Sequence, residues 1–280
     1  MSDPRKGKPN KILLAALLRQ AARVRRETIR LHKLAPETRL ASSLSDVELF
    51  VALYYGGLLK FKPAQPRWEG RDRVIVSKGH GGISLYPILS DLGFFDRSEL
   101  DRIGKAGSIL CGIPDDIPGF ETINGSLGHG LGVGCGMALA LKRKGSAAGV
   151  VVVAGDGELF EGAVWEAVMF AGHHKLDNLT LIVDRNKRSM LGQTREILDL
   201  SPLDAKFSAF GWAFVTDDGH DLAVVHRTLS GLLPARGGKP KVFVAETVKG
   251  KGVPSLERDD LCHIRTLTPE QVDALTGERK

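Results

Sequence analysis

Two residues in this chain combine atoms and spacing suited to metal and phosphate chemistry: Asp156, set between two glycines, and Asn186. Val150-Val151-Val152-Val153-Ala154 is a continuous apolar run, the pattern of a strand buried on both faces of a parallel sheet, and Gly155-Asp156-Gly157 ends it. A helix is expected from Glu158 to Ala171, with Leu159, Val164, Val168 and Ala171 near one face. Leu179 to Val183 reads as the next strand and leads into Asp184-Arg185-Asn186-Lys187. One strand–helix–strand crossover fits this separation, so Asp156 and Asn186 would leave the same sheet edge, where open α/β sheets bind ligands. A carboxylate and an amide carbonyl are hard oxygen donors. With a backbone carbonyl, water and diphosphate oxygens they would complete an octahedral Mg²⁺ site. Gly155 and Gly157 let the backbone approach a phosphate, and a following helix N-terminus favours an anion. The plainer alternative is an Asp turn and an Asn cap with no ligand at all.

The elements that would position these residues are legible along the chain. Helical periodicity runs from about Lys11 to Lys33, and again from Val47 to Leu59 after Ser43-Leu44-Ser45-Asp46, an N-cap region. Arg73 to Ser77 reads as a strand feeding the glycine-rich Lys78-Gly79-His80-Gly81-Gly82, with a helix from Ser84 to Leu92. Gly104 to Ser126 is loop-rich. Gly128, Gly130, Gly132, Gly134 and Gly136 then alternate; on a helix they make two glycine faces, which another backbone or a ligand must approach closely. Further strands are expected at Ala213–Val215 and Val242–Ala245. Strand and helix alternating in this way argue for one α/β domain, a parallel sheet covered by helices on both faces, with residues 1–10 as a flexible N-terminus.

The 280 residues, 42% hydrophobic and 26% charged, fit a soluble globular protein with a sizeable core. The net charge of +6 is modest; its densest piece, Arg19 to Arg26, reads as a solvated helix face, and no interleaved aromatics suggest nucleic acid. No run is long enough for a membrane span, and Ile12 to Leu18 lacks the cleavage site of a secretory signal. Cys111, Cys135 and Cys262 form no CxxC pair, so a reducing, cytoplasmic setting is expected. There is no G-x-G-x-x-G, no phosphate-binding G-x-x-x-x-G-K-[ST], no G-x-S-x-G and no H-E-x-x-H, which removes the dinucleotide, P-loop, serine-hydrolase and zinc-protease classes. His173-His174, adjacent on one helix, point apart and read as surface residues.

Longer motifs carry a resemblance. Gly155-Asp156-Gly157-Glu158-Leu159-Phe160-Glu161-Gly162, Trp165-Glu166-Ala167 and Lys175-Leu176-Asp177-Asn178-Leu179 closely resemble the thiamine-diphosphate motif of transketolases. The similarity continues through Ser77-Lys78-Gly79-His80, Gly125-Ser126-Leu127-Gly128, Gly211-Trp212, Asp218-Gly219-His220-Asp221 and Thr247-Val248-Lys249-Gly250-Lys251-Gly252. The resemblance implies a transketolase N-terminal-like, thiamine-diphosphate-binding fold over 11–280. It implies Mg²⁺ held by Asp156, Asn186 and the backbone carbonyl of Arg188. Gly155, Gly157 and Glu158 would belong to the cofactor site, with Gly157 at the diphosphate and Gly125, Ser126 and Leu127 against the cofactor rings. His80 and His263 would line the cofactor and substrate channel, and Glu161 matches a family glutamate in a carboxylate relay between active sites; a helix-N-terminal Glu is its plainer reading.

Family chains continue into a pyrimidine-binding domain, so the resemblance also implies a separate C-terminal partner subunit in an α2β2 assembly acting on sugar or 2-oxo-acid substrates. Two positions depart from the family pattern: Arg39 and Ile113 stand where histidines are usual. An apolar Ile113 cannot bond a ketose hydroxyl, which leaves ketol transfer or acetyl transfer from pyruvate as donor chemistries. Two other readings are the α-subunit of a 2-oxo-acid dehydrogenase and a catalytically silent cofactor-binding partner.

Overall fold

The computed structural model describes residues 9–277. Five strands, β1 (Arg73–Val76), β2 (Val150–Gly155), β3 (Leu179–Arg185), β4 (Ala213–Asp218) and β5 (Lys241–Glu246), form one wholly parallel sheet in the order β1-β2-β3-β5-β4. The helices are α1 (Lys11–Leu34), α2 (Leu40–Leu44), α3 (Val47–Tyr55), α4 (Leu85–Asp91), α5 (Gly130–Arg143), α6 (Gly162–His173), α7 (Thr194–Ile197), α8 (Leu203–Ala209), α9 (Leu222–Leu232), α10 (Pro254–Glu257) and α11 (Pro269–Thr276).

Crossover handedness explains which helix covers which face. From β1 to β4 the chain advances across the sheet in one direction, so the right-handed crossovers place α5, α6 and α8 on one face. The step from β4 back to β5 reverses direction and puts α9 on the other face, beside α1, α3 and α4. Alternate residues feed the two cores. Val74, Val76, Val151, Val153, Ile182 and Phe243 pack toward α1, α3, α4 and α9, whereas Ile75, Val150, Val152, Leu181 and Val242 pack toward α5, α6 and α8.

Several expectations need correction. The helix after the glycine–aspartate turn does not start at Glu158: a short 3₁₀ turn spans Gly157–Phe160, Glu161 is extended at φ −73° and ψ 124°, and α6 starts at Gly162. Its cause is the Glu158 side chain, which is drawn back to bond Gly155 and Gly128. The second helix stops at Tyr55, because Gly56 and the left-handed Gly57 turn the chain. Asp46 precedes α3 without capping it; its carboxylate is engaged elsewhere. Arg23 and Arg25 are not simply solvated: Arg23 pairs with Asp91, and Arg25 with Glu48. The expected flexible N-terminus lies outside the described residues except for Pro9 and Asn10, and Asn10 caps α1 by accepting from Leu13 N at 2.8 Å.

Of the alternating glycines, Gly128 falls in the left-handed turn before α5, and the other four form two faces of the helix with different uses. A Cβ on Gly134 would lie 2.6 Å from Val152 Cγ2, so this face exists to bring helix and sheet together. Gly132 and Gly136 meet nothing within 4 Å. The two faces should therefore answer substitution with opposite signs. Gly134→Ala should destabilise the isolated chain by about 1–3 kcal/mol through overpacking, and Gly132→Ala should stabilise it by about 0.5–1 kcal/mol, both read from urea unfolding.

Candidate active site

The C-terminal edge of the sheet is organised around a buried ammonium. Lys78, directly after β1 and Ser77, is 2% exposed. Its Nζ reaches the carboxylate of Asp184 near the end of β3, Asp46 Oδ2 at 2.9 Å and the Ser42 carbonyl at 3.2 Å. Asp184 also accepts from Ser45 Oγ, Thr247 Oγ1 and Asn186 Nδ2. Burial works against the Asp184 charge, but Lys78 and these hydroxyl donors outweigh it and hold its carboxyl below the ordinary range. Asp46 has the poorer share of the same ammonium. Burial and the charge of Asp184 push it up to about 7, against the pull of Lys78. The cluster ties α2, α3, β1, β3 and the segment after β5 to one point.

Asp156 and Asn186 come together as expected, because Gly155 pairs with Asp184 in the parallel register, Asp156 following Gly155 at once and Asn186 lying two residues past Asp184. Asp156 Oδ2 accepts from Lys187 N at 2.7 Å, and Oδ1 from Gly157 N at 2.9 Å. Lys187 adopts the left-handed conformation at φ 67°, an unusual one for lysine that turns the chain between Asn186 and Arg188. The Arg188 guanidinium reaches away to Asp259 and Asp260, leaving its carbonyl at the site, where Lys249 Nζ donates to it at 2.8 Å. Burial and the Asp184 charge push Asp156 up to about 6. A buried carboxylate, an amide carbonyl and a backbone carbonyl already met by an ammonium make a hard-oxygen donor set that a divalent cation fits. Among the described residues no group of three or more His, Cys, Asp or Glu is arranged as a metal site.

A cleft of about 390 Å³ opens over this edge, lined by Asp156, Gly157, Asn186, Leu127, His80 and His263 among others. Glu158 borders it but is spoken for: its carboxylate accepts from Ser77 Oγ, Gly128 N at 2.9 Å and Gly155 N at 3.3 Å, so it pins the loops around the cleft. His80 and His263 meet edge to face with ring centroids 5.1 Å apart. Burial drives both pKa values down, to about 3 and about 4, and neighbouring cations add to the shift, so both rings are neutral at pH 7. Lys249 Nζ donates to His263 Nδ1 at 2.9 Å, which puts the imidazole proton on Nε2. Burial lowers Lys249 itself to about 8.

The remaining expected residues divide. Glu161 is exposed on the cleft wall, its Cβ 2.7 Å from where a side chain on Gly128 would begin, and Gly128 is left-handed at φ 87°. Of Gly125, Ser126 and Leu127, only Leu127 lines the cleft; the other two are exposed on the same loop. Arg39 is not among the residues that line the cleft, and its charge makes only a minor contribution to the lowered pKa of the two histidines. Ile113, 44% exposed, packs on Gly79 beside His80, its Cγ2 3.3 Å from where a Gly79 Cβ would be. Sequence reasoning missed the Lys78–Asp184–Asp46 cluster and Lys249. A signal was there for one of them: Asp184 continues an apolar strand, and an aspartate in such a run needs a buried partner.

A family model described as the transketolase, thiamine diphosphate binding domain matches residues 41–278. A transketolase family protein of Sinorhizobium fredii is 38% identical over 258 residues, 91% of this chain and 92% of that protein. A 6-deoxy-6-sulfo-D-fructose transketolase subunit of a Clostridium species is 37% identical, covering 85% and 87% of the two chains. An apulose-4-phosphate transketolase subunit of Phocaeicola vulgatus is 35% identical, with 92% of each chain covered. Among solved structures, transketolase from Campylobacter jejuni superposes with a TM-score of 0.83 at 27% identity over 94% of this chain. The present chain spans 43% of the length of that structure.

The buried cluster makes two predictions, both measured by urea unfolding. Lys78→Met should cost about 3–5 kcal/mol by stranding the Asp184 carboxylate, and adding Asp184→Asn should recover part of the loss, giving clear non-additivity. Asp46 holds a proton in the folded state that the unfolded chain releases. Its contribution to stability is complete below the ordinary carboxylate pKa and is lost as pH rises through about 7. Asp46→Asn should therefore remove a decline in stability between about pH 4 and pH 7.

Proposed function

The chain belongs to the transketolase family, and from that premise we propose that it is the thiamine-diphosphate-binding subunit of a split transketolase-like enzyme, moving a two-carbon unit from a donor to a sugar or aldehyde acceptor. The observation that carries this reading is the pairing of Asp156 and Asn186 at the ends of adjacent parallel strands, beneath a cleft whose outer wall holds two neutral histidines. Relatives named as transketolases support transferase chemistry and disfavour both the 2-oxo-acid dehydrogenase reading and the silent partner.

In this proposal Asp156, Asn186 and the Arg188 carbonyl hold Mg²⁺, and Gly157 lets the backbone reach the diphosphate. Thiamine diphosphate, when bound, supplies the electron sink for breaking and forming the carbon–carbon bond. The protein's part is positioning and proton handling. His263 presents Nε2–H, fixed in that tautomer by Lys249, as a hydrogen-bond donor that carries no charge of its own. His80 stands against it as a second neutral imidazole. Neutral donors can polarise a substrate oxygen and exchange a proton with it without repelling a nearby cation. Glu161, exposed at the cleft wall, would serve as the carboxylate of a relay to a neighbouring site.

A partner subunit is part of the proposal. Met190, Leu191 and Ile197 line the cleft and are each more than two-fifths exposed, an apolar rim unsuited to permanent contact with water. Relatives of matching length bear the word subunit in their names. We take the partner to carry the pyrimidine-binding domain in an α2β2 assembly within the cytoplasm.

The test is two-carbon transfer by this chain mixed with that partner, followed as consumption of xylulose 5-phosphate or release of carbon dioxide from pyruvate with aldose acceptors present. Turnover should require thiamine diphosphate and Mg²⁺, and Asp156→Ala should lower metal-dependent activity by at least about 100-fold. Turnover that needs no thiamine diphosphate, or survives Asp156→Ala undiminished, overturns the reading.

A further inference from the structure

The opposite end of the sheet, where β1, β2 and β3 begin, holds a second cavity. It measures about 490 Å³ and lies between the end of α5, the end of α9 and the turn after α3. Leu58, Leu59, Val151, Leu233 and Pro234 give it apolar walls, and its size is that of a small-molecule site. Thr180 supplies a polar floor. Leu179 and Leu181 face α5, α6 and α8, so the alternation of β3 turns Thr180, like Ile182, toward the α9 face. Thr180 lines the cavity at 1% exposure, and its hydroxyl makes no hydrogen bond with any described residue. Valine would fill the same space in this apolar strand without an unpaired polar atom. Asn178, 5% exposed, lines the cavity as well. Its Nδ2 is held by the Ala138 carbonyl at 2.8 Å, and its Oδ1 is buried with no partner among the described residues.

The charged groups of the same lining are unevenly committed. Both oxygens of Asp72 are engaged, by Lys60 N at 2.8 Å and Gly149 N at 2.7 Å. Both oxygens of Asp177 are engaged too, by Lys142 Nζ at 2.9 Å and Gly238 N at 3.0 Å. Arg236 spends only Nη1, on the carbonyls of Leu233 at 2.8 Å, Ala235 at 3.1 Å and Asp177 at 3.5 Å. Its Nε and Nη2 meet no acceptor among the described residues, and neither does the Lys60 ammonium. The charge left over in this lining is therefore positive, and the polar groups left over on its floor call for hydroxyls.

We propose that this cavity is a second ligand site, taking a small polyhydroxylated anion of the sugar-phosphate or sugar-acid class. The ligand's hydroxyls bond Thr180 Oγ1 and Asn178 Oδ1, its anionic end meets Arg236 and Lys60, and its carbon skeleton covers Val151 and Leu233. An apolar ligand would leave both buried polar groups unsatisfied. A cation would meet Arg236 and Lys60 with each carboxylate oxygen already accepting a bond. The cavity stands at the N-terminal ends of the strands and the Asp156–Asn186 pair at their C-terminal ends, so both sites can be filled at once.

The test titrates the full ¹⁵N-labelled chain separately with ribose 5-phosphate, gluconate, inorganic phosphate and neutral ribose. The amides of Gly149, Val151 and Thr180 report this cavity, and those of Gly157 and Asn186 report the other cleft in the same spectra. Saturable shifts at the first three are expected with ribose 5-phosphate or gluconate, at least about tenfold tighter than with ribose or inorganic phosphate. Thr180→Val should weaken that binding about fivefold. It should cost no stability in urea without ligand, because the hydroxyl it removes has no partner. Lys60→Met and Arg236→Met should each weaken binding at the cavity and leave any response at Gly157 and Asn186 unchanged. Tighter binding of ribose 5-phosphate assigns a phosphate ester, and tighter binding of gluconate assigns a sugar acid.

No saturable response of the cavity amides to either hydroxylated anion overturns the proposal. Equal affinity for ribose overturns the role of the cations, and equal affinity for inorganic phosphate reduces the site to an adventitious ion only; either result sinks it. Unchanged affinity in Thr180→Val does the same. A response confined to Gly157 and Asn186 puts the ligand in the other cleft and overturns the second site while leaving the cofactor reading untouched.

Discussion

Lys78 carries its ammonium into a region almost closed to water and meets two carboxylates there, Asp184 and Asp46, that arrive from different parts of the chain. Such a cluster is a poor source of net stability, since desolvating the charges offsets most of their attraction. What it provides is position. Lys78 can satisfy both partners only if β1, β3 and the turn between α2 and α3 reach one register, and Thr247 adds the segment after β5 through its bond to Asp184. Asn186 Nδ2 donates at 3.1 Å to Asp184 Oδ2, the oxygen that Lys78 reaches, so the amide proposed as a metal ligand takes its orientation from this cluster. The preceding strand pairing sets where Asp156 and Asn186 stand; the buried charges set which way Asn186 faces.

The same cluster divides the cleft into two chemical halves. At the sheet edge, Asp156 is a buried carboxylate whose pKa burial and the charge of Asp184 raise against the pull of Lys249. At the mouth, His80 and His263 are imidazoles held short of anions, their pKa values lowered by burial and by Lys78, Lys249 and Arg39. Lys78 serves both halves: it secures Asp184, which raises Asp156, and its charge keeps the histidines neutral. A ligand with a phosphate and cation at the inner end and a reacting carbonyl toward the mouth fits this ordering. Two histidines in water at pH 7 would be partly charged near their ordinary pKa; here burial makes them uncharged donors throughout the physiological range.

Much of this architecture is legible in the sequence because it follows from local pattern. Apolar runs mark all five strands, and the Gly-Asp-Gly turn followed by Asn186 one crossover later is a consequence of parallel pairing. What the pattern cannot reveal depends on partners distant in the chain. Asp46 looks like a helix cap, since an aspartate before an apolar run has that local use; only the fold brings Lys78 close enough to claim it. Glu158 looks like the first residue of a helix, yet Ser77, Gly128 and Gly155 supply donors that draw it inward and delay the helix to Gly162. The glycine alternation reads as two faces, but periodicity is blind to which one meets β2.

A similar distinction separates chemistry from scaffolding within the longer motifs. Asp218-Gly219-His220-Asp221 could pass for catalytic residues by composition. In the fold His220 Nδ1 donates to Glu48 at 2.9 Å, and its Nε2 accepts from Val248 N at 2.8 Å. Glu48 in turn pairs with Arg25, whose guanidinium also donates to the carbonyls of Leu44 and Lys251. Each of these groups is used up by another part of the chain, leaving none to act on a ligand. Their effect is to clamp α1 and α3 against the segment Thr247–Gly252, which carries Lys249 to His263 and the Arg188 carbonyl. Within one family of motifs, then, polar residues whose valences are filled locally build the frame, and Lys249, carried by that frame, is the side chain it delivers to the cleft.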